Sequence, residues 1–97
     1  MVSDEEKDKI AEELERLYSL INRRRFYELL GELEAERVRV LQQEAMEIAA
    51  KLKLSDKEVE EMADEMDDYN ITGVSKRGEV APLDYWVDVI ATRLNKK

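Results

Sequence analysis

The sequence predicts a mainly α fold of four to five helices, with one short β-hairpin before the C-terminal helix. Three observations lead there. The backbone-breaking residues are Gly31, Gly73, Gly78 and Pro82, so residues 3 to about 68 are almost unpunctuated. Apolar residues recur at spacings of three and four, the helical period. A serine followed three residues later by glutamate occurs twice, at Ser3–Glu6 and Ser55–Glu58, each ahead of an apolar stripe. The 97 residues suit one domain, with 3–53 as a long helical hairpin and dimerisation region and 44–97 as a helix-turn-helix-like unit, the hairpin and the C-terminal helix.

The first helix starts at the Ser3 cap and runs to about residue 20. Asp4, Glu5, Glu6 and Asp8 sit in its first turns, where the helix dipole favours negative charge. Ile10, Leu14, Leu17 and Ile21 form its apolar stripe. Asn22 can cap a second helix, and Gly31 can either end it or sit inside a longer one, leaving 22–53 as one helix or two. Val38, Leu41, Ala45, Ile48 and Leu52 continue the heptad-type spacing. These stripes exceed what a short third helix can cover. That surplus predicts a homodimer, coiled-coil-like, with Ile10, Leu14, Leu17, Ile21, Val38, Leu41 and Ile48 at its interface.

Ser55 caps a helix reaching about Asp67, with Val59, Met62, Ala63 and Met66 inward. Residues 71–80 read as strand, with Lys76-Arg77-Gly78 as a hairpin loop. Pro82 opens the last helix, where its missing N–H costs little, and Leu83, Trp86, Val87, Ile90, Ala91 and Leu94 form its apolar face. Tyr85 falls off that stripe and is expected at the surface.

Ala49, Leu52, Leu54, Ser55, Val59 and Met62 fall where a helix-turn-helix unit places its small contact, its turn and its packing residues. Over about twenty residues the chain resembles that family, which implies DNA reading by the second helix. Lys53 stands where the turn often has glycine. The second helix is chemically unsuited to the task. It carries Asp56, Glu58, Glu60, Glu61, Asp64 and Glu65, followed by Asp67 and Asp68, against Lys57 alone. A carboxylate face is repelled by two phosphate rows. As a winged-helix-like regulator, the chain would instead touch nucleic acid through Lys76 and Arg77 on the hairpin and through Arg23, Arg24 and Arg25.

Asp68, Asn70, Thr72, Gly73 and Glu79 stand at positions one, three, five, six and twelve of a segment that resembles an EF-hand calcium loop. Ser75 at position eight, Lys76 at position nine and Pro82 just beyond depart from that pattern, and no second loop exists to pair with it. The expectation is therefore no metal and no cofactor.

Composition excludes much else. The chain has no cysteine and no histidine, which removes disulfides, thiolate chemistry, zinc ligation by those residues and Ser-His-Asp triads. No Asp or Glu is identified inside an apolar stripe, so nearly all the carboxylates are expected on solvated helix faces and not desolvated for acid–base work. The formal charge is -8. No apolar run is long enough for a membrane span, and no basic-then-apolar leader opens the chain. The reading is a cytoplasmic, non-catalytic, acidic helical interaction module, an adaptor or modulator for a basic protein partner. Its contact face is Glu60, Glu61, Asp64 and Asp67, expected to be solvent-exposed and replaceable. The winged-helix-like regulator and a single EF-hand-like calcium binder are the alternatives.

Overall fold

The computed structural model describes residues 3–31 and 35–95. Four helices follow one another along the chain: α1 (Asp4–Leu29), α2 (Ala35–Lys51), α3 (Asp56–Thr72) and α4 (Pro82–Asn95). The long α1 packs against each of the other three, so it is the spine of the bundle.

α1 is one helix where the sequence suggests two. Its 26 residues run about 39 Å at the helical rise. Asn22 makes no cap. Arginines are good helix formers, and Arg24 pairs with Glu28 one turn on, so nothing interrupts the helix at 23–25. The helix ends at Leu29, and Gly31 leaves with φ +78°, the left-handed conformation that glycine adopts without cost. This merger fixes the count at four helices.

The core collects Leu14, Leu17 and Ile21 from α1, Ala45, Ile48 and Ala49 from α2, Met62 and Ala63 from α3, and Trp86 and Ile90 from α4. The stripe assigned to a seam between chains is therefore spent within one chain. Ile10, Leu14, Leu17, Ile21 and Ile48 are buried, while Val38 and Leu41 are half-buried. The sequence reading undercounted the cover supplied by α4 and by a third helix that is longer than expected.

That length also explains why the hairpin does not form. α3 continues five residues past Asp67, absorbing Ile71 and Thr72, until Gly73 caps it at φ +72°. Residues 74–81 then leave room for a tight turn and at most the shortest strands. One bridge, Ser75 to Gly78, is all the β-structure among the described residues. The turn is held by its own polar groups: the Arg77 N–H donates to Ser75 Oγ at 3.0 Å, and Ser75 Oγ donates to the Val80 carbonyl.

The α2–α3 connection is short and closely specified. The Leu54 N–H donates to the Ala49 carbonyl and the Lys53 N–H to the Ala50 carbonyl, the pair of bonds that defines a Schellman helix end. Such an end needs a left-handed residue, and Lys53 supplies it at φ 61°. Ser55 and Glu58 then make the expected reciprocal capping box. At Ser3 the hydroxyl accepts from the Glu6 N–H, but Glu6 takes its bond from the serine hydroxyl and not from its backbone.

In α4, Leu94 is exposed, and Tyr85 is half-buried instead of lying at the surface. No helix among the described residues is long and apolar enough to cross a membrane.

Candidate functional site

Functional interest concentrates on α3, which carries eight acidic residues and one lysine. Helical spacing sorts the acids onto two flanks. Glu60, Asp64 and Asp67 face α1, whereas Glu58 and Glu65 face α4 and the loop before it.

On the α1 flank the arginine run meets the acids. Arg24 Nη2 donates to Glu60 Oε1 at 2.7 Å. Arg25 reaches three carboxylates: Glu60, Asp64 at 3.0 Å and Asp67 at 3.3 Å. The Tyr18 hydroxyl donates to the second oxygen of Asp67 and accepts from Asn70. Burial and the bond to Asp67 raise the Tyr18 pKa. The hydrogen bond from Arg24 leads the effects that lower the Glu60 pKa.

On the other flank Glu65 is 6% exposed, the sole buried charged side chain among the described residues. Arg77 meets it with two parallel bonds, Nε to Oε1 at 2.8 Å and Nη2 to Oε2 at 2.7 Å. The guanidinium also lies 4.0 Å from the Tyr85 ring centroid, a cation–π contact. Two turns nearer the N-terminus of α3, Arg93 forks onto Glu58 and donates to the Lys53 carbonyl. The Arg93 hydrogen bond, with the Ser55 N–H, holds the Glu58 carboxyl down to about 2.

This geometry revises the sequence reading of the acidic face. Glu61 and Asp64 are exposed, but Glu60 and Asp67 are half-buried and hydrogen-bonded. The proposed nucleic-acid contacts do not gather on one basic face. Arg24, Arg25 and Arg77 are turned inward to carboxylates, Lys76 lies 3.6 Å from Asp68, and Arg23 is exposed on α1. The EF-hand-like segment has no loop in which to hold an ion, because Asp68, Asn70 and Thr72 are the last turns of α3. Thr72 Oγ1 donates back to the Asp68 carbonyl. Among the described residues no group of three or more carboxylates is arranged for a metal.

Sequence reasoning missed Glu65. It lies three residues after Met62 and one before Met66, on the edge of the apolar stripe, and that spacing was the available signal. Its partner, twelve residues on across a turn, had no local signal. Also missed was Arg93, which the sequence offers only as a cation at a helix C-terminus.

Apolar side chains remain uncovered at the α1–α2 end. Leu29 is 88% exposed, and Phe26, Leu30 and Val40 are about half exposed. Phe26 packs edge-on against Tyr27, whose ring lies under Arg37. No family model, curated protein or solved structure matches the chain.

Proposed function

We propose that the protein is a non-catalytic interaction module, an adaptor or modulator that binds a basic protein partner in the cytoplasm and acts as a homodimer. The observation behind this reading is the internal use of its arginines. Of the guanidinium groups that would have to meet phosphate, those of Arg24, Arg25 and Arg77 are committed to carboxylates of the same chain, leaving Arg23 exposed beside a surface that is largely acidic and apolar. A net charge of -8 draws cationic partners and repels nucleic acid. The exposed Phe26, Leu29, Leu30 and Val40 offer a second copy the apolar contact that the buried stripes do not.

Two measurements test it. Calorimetry with arginine-rich and glutamate-rich peptides should show binding of the basic peptide alone. Equal binding of both, or of neither, removes the basic partner. Sedimentation equilibrium should show a dimer that Leu29→Asp dissociates without unfolding. A wild-type monomer throughout a wide concentration range removes the dimer.

The winged-helix-like alternative draws on one observation: the α2–α3 connection has a left-handed residue at Lys53, as a helix-turn-helix turn requires. Its test is a salt-sensitive gel shift with duplex DNA. The variant to use is Arg23→Ala with Lys76→Ala, because both side chains are exposed and neither clasps a buried acid.

A further inference from the structure

A cleft of about 450 Å³ opens where the middle of α1, the end of α3 and the start of α4 converge. Its walls are mainly apolar and aromatic: Tyr18, Met66, Tyr69 and Leu83. Two carboxylates, Glu15 from α1 and Asp84 from α4, stand on its rim. They differ from the acids of α3. Glu58, Glu60, Asp64, Glu65 and Asp67 all hold an arginine, while neither Glu15 nor Asp84 has a cationic partner among the described residues. Both lie exposed.

The Tyr18 ring is held in place. Its hydroxyl is fixed between Asp67 and Asn70, so the ring stays as a wall and does not swing to fill the space. The cleft thus presents tyrosine faces and a thioether to a hydrocarbon stem, and unpaired negative charge to what the stem carries. The molecule already shows which group suits such surroundings. Arg77 lies over the Tyr85 ring with its guanidinium on a carboxylate. An arginine combines an apolar stem, a flat face that stacks on tyrosine and a fork of donors for carboxylate.

We infer that this cleft receives an arginine side chain of the basic partner, its stem along Met66 and Leu83, its guanidinium against Tyr69 and bonded to Glu15 and Asp84. The inference rests on the basic-partner reading above and names the site of that contact. The volume of the cleft lies within the usual size of ligand pockets.

The test is calorimetry of the whole protein with a short arginine-containing peptide and with the same peptide carrying norleucine in place of arginine. Glu15→Gln with Asp84→Asn should weaken the arginine peptide roughly tenfold. Glu61→Gln with Asp64→Asn, on the exposed acidic face, should change it by less than about twofold. Tyr69→Leu should weaken the arginine peptide more than a lysine one. Melting curves of each variant, with both substituted cleft positions at the surface, should stay close to wild type and so separate binding from folding. If the Glu61/Asp64 variant loses binding and the Glu15/Asp84 variant keeps it, the cleft is wrong and the basic partner stands. If the norleucine peptide binds as well as the arginine one, the charge assignment is overturned. If no basic peptide binds, both readings fall.

Discussion

α3 is tied down on its two flanks by the same chemistry in different surroundings. Towards α1, Arg24 and Arg25 spread over Glu60, Asp64 and Asp67 at a partly open surface. Towards α4, Arg77 closes on Glu65 with two parallel bonds, and that carboxylate is almost wholly covered. Salt and water reach the first arrangement, and each of its acids has solvent as an alternative partner. Glu65 has no such alternative. Ion pairs of one composition therefore differ in consequence: the open fan sets where α3 lies, whereas the closed clasp keeps a buried charge from being left alone.

The sharpest way to break that contrast is Arg77→Ala. It leaves Glu65 buried without a partner, and the expected loss is about 3 kcal/mol, read by urea unfolding. The loss should persist in high salt. Replacing both members, Glu65→Leu with Arg77→Leu, should recover most of it, since no charge then remains to be desolvated. A double variant no better than Arg77→Ala would mean that the arginine acts by packing on Tyr85 and not through Glu65.

Glu58 comes next, because it belongs to both kinds of site. It is part of a helix cap, where solvent is near, and it receives a forked arginine. Glu58→Gln keeps the capping geometry and removes the charge. The folded carboxyl sits at about 2, below its ordinary value of 4.5. A depressed value stabilises the fold above the unfolded pKa, and that contribution disappears as pH falls through the folded one. The stability gap between wild type and Glu58→Gln should be constant above about pH 5.5. It should close as pH falls from 4.5 towards 2. A gap that does not change over that range would sever Glu58 from Arg93.

Much of this was legible in the chain, and its legible parts share a cause. The Ser55–Glu58 cap, the α1 stripe and Pro82 at the start of α4 depend on residues within one or two turns, so spacing alone reveals them. The unread parts depend on contacts far apart in sequence. Arg24 and Arg25 look like a solvated run until Glu60 lies beside them, 36 and 35 residues on. Glu65 looks like one more surface acid until Arg77 folds over it. The absent hairpin follows from α3 running on to Gly73, a boundary that capping signals before Asp67 do not set. For the candidate site the acidic residue types were readable, but the division between satisfied and unpaired acids was not. The cleft at Glu15 and Asp84, built from three helices, has no linear signature.

On the open flank, Arg25→Ala should cost about 1 kcal/mol or less at low salt. Near 1 M salt, where the screening length is roughly 3 Å, the difference from wild type should shrink markedly. The expectation that Glu60, Glu61, Asp64 and Asp67 are all solvent-exposed and replaceable changes accordingly. Glu61→Gln alone should be neutral, whereas Glu60→Gln should lower stability through Arg24 and Arg25. Measuring both arginine variants across salt concentration tests the contrast directly. Equal salt dependence of Arg77→Ala and Arg25→Ala would erase the distinction between clasp and fan.

The smallest expected effect concerns the turn that starts α3. Lys53 holds a left-handed backbone with φ 61°, which for a residue with a β-carbon costs about 1–2 kcal/mol. Glycine adopts it freely but gives up about 0.5–1 kcal/mol of chain entropy on folding. Lys53→Gly should therefore stabilise the protein by a net of about 0.5 kcal/mol. What the turn does for the rest of the molecule survives the change, because only backbone groups of residue 53 are used. Its N–H still donates to Ala50, and its carbonyl still accepts from Arg93. Lys53→Asn should fall between lysine and glycine, since asparagine tolerates the left-handed region better than most residues. The order Gly above Asn above Lys in melting temperature would place the strain in the backbone. If lysine proves the most stable, its side chain contributes a contact that outweighs the strain.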